Sequence, residues 1–250
     1  IKYKQVRENN NYMAVKQVNY NDKSFAINYE IVNSSNTNAI VFLHGWGSNK
    51  EVMKSSFSSY LPDLKHIYID MPGFGKSDNN YVLTTQDYAN IIKEFLKSDD
   101  SIAAIAGHSF GGKVATLLNP KNLILLSSAG IIEKKSDKVK FKIKLAKVLS
   151  SFGLGSLTKA FRSKDVNTMS ECMYATFKNV VDEDFTNIFE NFKNNTFVFW
   201  GEQDSATSLE SGKKISSLIQ NSKFYSYNGD HYFFMKYAND ITTKIKNGIL

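Results

Sequence analysis

Cysteine is almost missing from this chain of 250 residues: Cys172 stands alone. One thiol closes no internal disulfide and completes no paired-cysteine metal spacing, so a reduced, cytoplasmic setting is expected, with no cofactor and no metal. Long hydrophobic runs are missing too. Nothing approaches the roughly 18 consecutive apolar residues of a membrane span, and the polar, Asn-rich start has no apolar centre of a secretion signal, so no transmembrane segment is expected. Acidic side chains fall short of basic ones, 24 against 31. The excess is local: residues 131–164 carry ten basic residues against Glu133 and Asp137, while the remainder holds 21 basic and 22 acidic. A charge confined to one segment argues against a general nucleic-acid coat.

What is present is a core. Hydrophobic residues make up 42% of the chain, enough for one α/β domain with an insertion. Residues 13–20 and 23–32 read as strands joined by the turn pair Asn21-Asp22, an antiparallel edge. Short buried strands follow at 39–43, 66–70, 102–108, 122–127, 196–200 and 223–227, alternating with helical patterns at 50–61, 84–97, after Ser109, at 208–219 and from Tyr232 onward. The expectation is an α/β fold with a mostly parallel, eight-stranded sheet covered by helices on both faces. Between Gly130 and Phe192 the rhythm changes. Val139 to Leu145 alternates apolar residues with lysine and mimics a strand, yet Phe141, Leu145, Val148, Leu149 and Phe152 share one helical face. With further helices at 154–161, 166–178 and 182–192, this segment reads as an all-helical insertion. Gly75-Lys76-Ser77 imitates a phosphate loop, but Asp70 stands where that loop needs its first glycine, so a tight turn is expected.

The chemistry concentrates where strands end. The apolar run from Ile102 meets Gly107-His108-Ser109-Phe110-Gly111 and passes straight into a helix. Ser109 therefore sits on a sharp strand-to-helix turn whose crowding demands small residues two positions either side. A serine hydroxyl needs a base, held in one tautomer by a carboxylate. His231, after the last strand, is the expected base; His108 and His66 read as structural. Asp204 is the expected acid, with Glu202 and Asp230 as rivals. Two N–H groups must meet the oxyanion, and those of Phe110 and Trp46 are the candidates.

His44-Gly45-Trp46-Gly47, Asp70-x-Pro72-Gly73-x-Gly75-x-Ser77, Gly107-His108-Ser109-Phe110-Gly111-Gly112, Trp200-Gly201-x-x-Asp204 and Gly229-x-His231 stand in one order along nearly the whole chain. In this the sequence resembles the α/β-hydrolase fold superfamily, in its lidded serine esterase type. The resemblance implies a helical lid inserted after the sixth strand, which fits residues 131–192, with the core at 1–130 and 193–250. A serine nucleophile points away from haloalkane dehalogenases and epoxide hydrolases. The expected activity is hydrolysis of a carboxylic ester with a small or medium acyl group through an acyl-enzyme. Thioester hydrolysis, C–C bond hydrolysis, lyase chemistry on the same triad and a non-catalytic binding module are the alternatives.

Apolar lid residues supply the roof of the expected substrate pocket: Phe141, Phe152, Met169, Met173 and Phe177, with Trp46 as a wall. The basic face of residues 134–147 has three readings, a solvated surface, contact with a membrane surface, or steering of an anionic ester substrate. Nothing in the sequence fixes the substrate or the oligomeric state.

Overall fold

A computed structural model of the chain describes residues 6–8, 11–99, 101–132 and 169–249. The expected pocket residues Phe141 and Phe152, the helices expected within 139–161 and the basic face all lie outside the described residues.

Nine strands form one sheet in the order β1-β2-β3-β5-β4-β6-β7-β8-β9. They are β1 (Val6–Glu8), β2 (Asn11–Tyr20), β3 (Lys23–Val32), β4 (Ala39–Leu43), β5 (Lys65–Ile69), β6 (Ile102–His108), β7 (Asn122–Leu126), β8 (Asn195–Gly201) and β9 (Ser222–Tyr227). All eight expected strands are present. The ninth, β1, is a three-residue edge strand antiparallel to β2, too short to show a period in sequence. From β5 through β9 every neighbouring pair is parallel, whereas β1, β2 and β3 join antiparallel. Asn21 and Asp22 both take positive φ, 48° and 58°, as the tight hairpin between β2 and β3 requires.

The helices are α1 (Lys50–Phe57), α2 (Thr85–Leu96), α3 (Phe110–Leu117), α4 (Glu171–Val180), α5 (Thr186–Asn191), α6 (Leu209–Leu218) and α7 (Phe234–Ile249). The period of two in the central strands divides the core between the two faces. Val41, Leu43, Ile105, Leu125 and Val198 face the layer that holds Tyr88, Ile92, Val114 and Ile215 of α2, α3 and α6. Ile40, Phe42, Ala104, Leu126 and Phe199 face Met53, Phe57, Phe234 and Ile241 of α1 and α7. All five residues of β4 are buried, as expected of a strand covered on both sides. Thr84 caps α2 through a capping box with Asp87, which contributes about 1 kcal/mol. Helix α1 stops at Phe57 rather than 61, and Leu61 turns the chain with φ of 50° ahead of Pro62.

Two consequences position the site. The chain leaves β4 for β5 on one side and then crosses to β6 on the other, so the switch of direction opens a crevice at the carboxyl ends of β4 and β6. The loop after β4 is also clamped from below. Asp70, just past β5, accepts the backbone N–H of Lys50 at 2.8 Å and its ammonium at 2.9 Å, and the N–H of Lys76 at 3.0 Å. Lys50, Asp70 and Glu30 are all buried, and the Lys54 ammonium closes the group on Glu30. Gly75-Lys76-Ser77 is thus a tight turn around a buried carboxylate, bridged between Phe74 and Ser77. Among the described residues no helix is long and apolar enough to cross a membrane.

Candidate active site

Ser109 directly follows β6 with φ of 52° and ψ of −115°, a conformation that costs a non-glycine residue energy and that recurs where geometry serves chemistry. Its neighbours explain how it is held. A Cβ on Gly107 would collide with the Gly111 carbonyl, and one on Gly111 would meet the carbonyls of Leu43 and His44. Both small residues are therefore required by close backbone approach. The main chain of Ser109 is tied to β7 and to the loop after it: its N–H donates to Leu126 O at 3.1 Å and its carbonyl accepts from Ala129 at 3.0 Å. The Ser109 side chain does not cap α3.

The loop after β4 abuts this turn. A Cβ on Gly45 would lie 3.1 Å from Ser109 Cβ, and the rings of Trp46 and Phe110 meet edge-on with centroids 5.5 Å apart. Neither the N–H of Trp46 nor that of Phe110 is used in a backbone hydrogen bond among the described residues; Phe110 opens α3, where the first N–H groups have no partner within the helix.

His231 follows β9, and its Nδ1 lies 2.7 Å from Asp204 Oδ2. Asp204 is saturated by donors. Its Oδ1 accepts the N–H groups of Ala206 and Thr207 at 2.8 and 2.9 Å, and its Oδ2 also accepts the Thr207 hydroxyl at 3.0 Å. Burial works against the carboxylate, yet hydrogen bonds from His231 and the Thr207 backbone hold it at about 2. The rivals go elsewhere: Glu202 accepts from Ser226 Oγ, and Asp230 accepts the N–H of Tyr232.

The remaining histidines have no free role in proton transfer. His108 is buried, donates Nε2–H to the carbonyl of His231 at 3.0 Å, and is pushed down to about 3 by burial and then by the neighbouring His231. His44 is pushed down to about 4 by burial, and its Nε2 accepts the N–H of Met71 at 3.1 Å. His66 is lowered by burial and bonds to Tyr68 and Leu61.

A cavity of about 950 Å³ opens beside these groups. Of the expected pocket residues, Trp46, Met169, Met173 and Phe177 line it; Ser109 does not, while Tyr232, adjacent to His231, does. Phe74 and the polar run Ser77 to Asn80 form the other wall. Tyr232 and Thr207 were not evident from sequence. Thr207 lies three residues past Asp204, the one local sign available.

Residues 40–190 match the profile of the alpha/beta hydrolase family, and the chain belongs to that family. Among curated relatives, the pimeloyl-[acyl-carrier protein] methyl ester esterase of Proteus mirabilis is 34% identical over 87 residues, 34% of this chain and 33% of that protein. The enzyme of the same name from Wigglesworthia glossinidia brevipalpis is 25% identical over 205 residues, 80% of this chain and 73% of that protein. The chain thus spans about a third of the Proteus relative in the more similar alignment. Among solved structures, an esterase from Exiguobacterium antarcticum superposes with a TM-score of 0.72 at 20% identity, covering 93% of this chain and 98% of that one. A thermophilic esterase from Thermogutta terrifontis gives 0.70 at 16%, covering 93% and 97%. At such identities the likeness is one of fold.

Proposed function

We propose that the chain is a serine hydrolase that cleaves carboxylic esters through an acyl-enzyme at Ser109. The observation that supports the reading is the Asp204–His231 pair, 2.7 Å apart, with His231 packed on His108, the residue before a serine held at φ of 52° on the elbow. His231 takes the Ser109 proton as the hydroxyl attacks the ester carbonyl, and Asp204 stabilises the imidazolium that forms. The N–H groups of Trp46 and Phe110 receive the oxyanion. Collapse expels the alcohol, protonated by His231, and water then repeats the sequence to release the acid. In this reading residues 131–192 form a cap over a core of 1–130 and 193–250, and the cavity lined by Trp46, Met173 and Phe177 receives the acyl chain.

A fluorophosphonate probe followed by peptide mass spectrometry tests the nucleophile. An adduct on Ser109 is expected, and Ser109→Ala should cut turnover by several orders of magnitude. An adduct elsewhere, or none, ends the mechanism. A panel of p-nitrophenyl esters and acyl thioesters separates ester from thioester hydrolysis. The activity for which the relatives are named adds pimeloyl-[acyl-carrier protein] methyl ester to that panel.

A further inference from the structure

Thr207 stands out because every polar atom it has is committed to the acid or its support. Its N–H donates to Asp204 Oδ1 at 2.9 Å, its carbonyl accepts the indole N–H of the fully buried Trp200 at 2.9 Å, and its hydroxyl lies 3.0 Å from Asp204 Oδ2 and 3.2 Å from the Ser127 carbonyl. A hydroxyl has one proton to give. The carboxylate is both the nearer and the charged acceptor, so the proton goes there. The oxygen it reaches is the one that His231 Nδ1–H also uses, and Thr207 Oγ1 is itself 3.5 Å from that nitrogen.

We infer that Thr207 is a positioning residue which shares Oδ2 of Asp204 with His231, fixing the carboxylate's rotation and moderating how strongly it draws on the imidazole. Two donors on one oxygen divide its negative charge, so each bond is weaker than it would be alone. The groups facing His231 are Asp204 and Thr207 from the loop after β8, His108 from the end of β6 and Tyr232 next in sequence. Asp204 is the anion among these packed groups, which is why the sharing of its oxygen matters. The inference rests on the reading of His231 as the base.

The test removes the hydroxyl and keeps the shape. In Thr207→Val the far-downfield proton resonance of His231 Nδ1–H, identified by its loss in His231→Gln, should move further downfield. The acid limb of kcat/KM should move to higher pH by about half a unit, a loss of about threefold below that limb, and Thr207→Ser should restore both. An unchanged resonance and an unchanged limb in Thr207→Val overturn the inference, since a merely structural threonine would move neither. Should the valine variant fail to fold, Thr207→Ala carries the same two readouts. A moved resonance with no ester turnover in any variant supports the sharing of Oδ2 and counts against the ester reading alone.

Discussion

His108 and His231 are joined twice: the Nε2–H of His108 donates to the His231 carbonyl at 3.0 Å, and the two rings pack with centroids 4.5 Å apart. The residue beside Ser109 thus tethers the loop that carries His231, the proposed base. His108→Ala should lower kcat by about tenfold, a size in keeping with the loss of one hydrogen bond that fixes geometry. His108→Gln, whose amide can reach the same carbonyl, should retain most of the rate. Steady-state kinetics on the best ester of the panel decides; an alanine variant as fast as the parent would remove His108 from the positioning of His231.

Acid should weaken the fold earlier than its carboxylates alone would dictate. His44 and His108 are held neutral, at about 4 and about 3, by burial, and burial lowers His66 as well. The unfolded chain takes up a proton on each near pH 6.5 while the folded chain does not. Stability is therefore full above pH 6.5 and falls as pH drops from there toward the folded values. Between pH 6.5 and 5 the loss should be about 2 kcal/mol for each of His44 and His108. Asp204, held at about 2, adds a further loss only below the usual carboxylate range. Urea unfolding at pH 7.5 and at pH 5 measures this, and equal midpoints would refute it.

Gly107, near the end of β6, and Gly47, in the loop after β4, should respond differently to one added methyl. At Gly107 a Cβ would strike the backbone of Gly111 and Gly112, and backbone cannot swing aside, so Gly107→Ala should abolish folding or cost more than about 3 kcal/mol. At Gly47, φ is 72° and no atom lies within 4 Å of the added Cβ. Gly47→Ala should therefore cost only the conformational penalty, about 1 kcal/mol. Thermal melts of the two variants test the contrast. Similar losses at both positions would show that the elbow is less crowded than its geometry states.

Much of this was legible because it was local. The run of five apolar residues at 39–43 reads as a buried strand, and glycine at 107 and 111 around Ser109 marks the turn. Asp204 could be preferred over Glu202 by spacing from the strand end, and over Asp230 because Asp230 adjoins His231 in sequence. Lys50 shows where such reading stops. In sequence it only opens a helical pattern, yet it is 1% exposed, because its partners Glu30 and Asp70 arrive from β3 and from beyond β5. The hydroxyl of Thr207 is hidden for a like reason: its acceptor atom is decided by the rotation of Asp204, which no spacing records. Tyr232 joins the cavity wall only because β9 delivers His231 to the same edge.

Phe177 offers a way to ask whether the cavity measures the acyl chain. It is half-buried on α4, lines the cavity, and packs against Trp46 with ring centroids 5.3 Å apart. Being only partly covered, it can be truncated with less damage than Met173, which is buried against Gly73 and Asn79. Phe177→Ala should enlarge the cavity and move the optimum of kcat/KM toward longer acyl chains, since each methylene newly buried is worth about 0.8 kcal/mol, or about fourfold. The profile of p-nitrophenyl esters from acetate to dodecanoate reads this directly. Because Phe177 also supports Trp46, whose N–H is proposed to receive the oxyanion, a second outcome is distinguishable: a loss in kcat of equal size at every chain length. That result would assign Phe177 to holding the oxyanion loop and would end its role as a gauge of acyl length. A shifted optimum with kcat for the shortest ester preserved would assign it to the pocket wall.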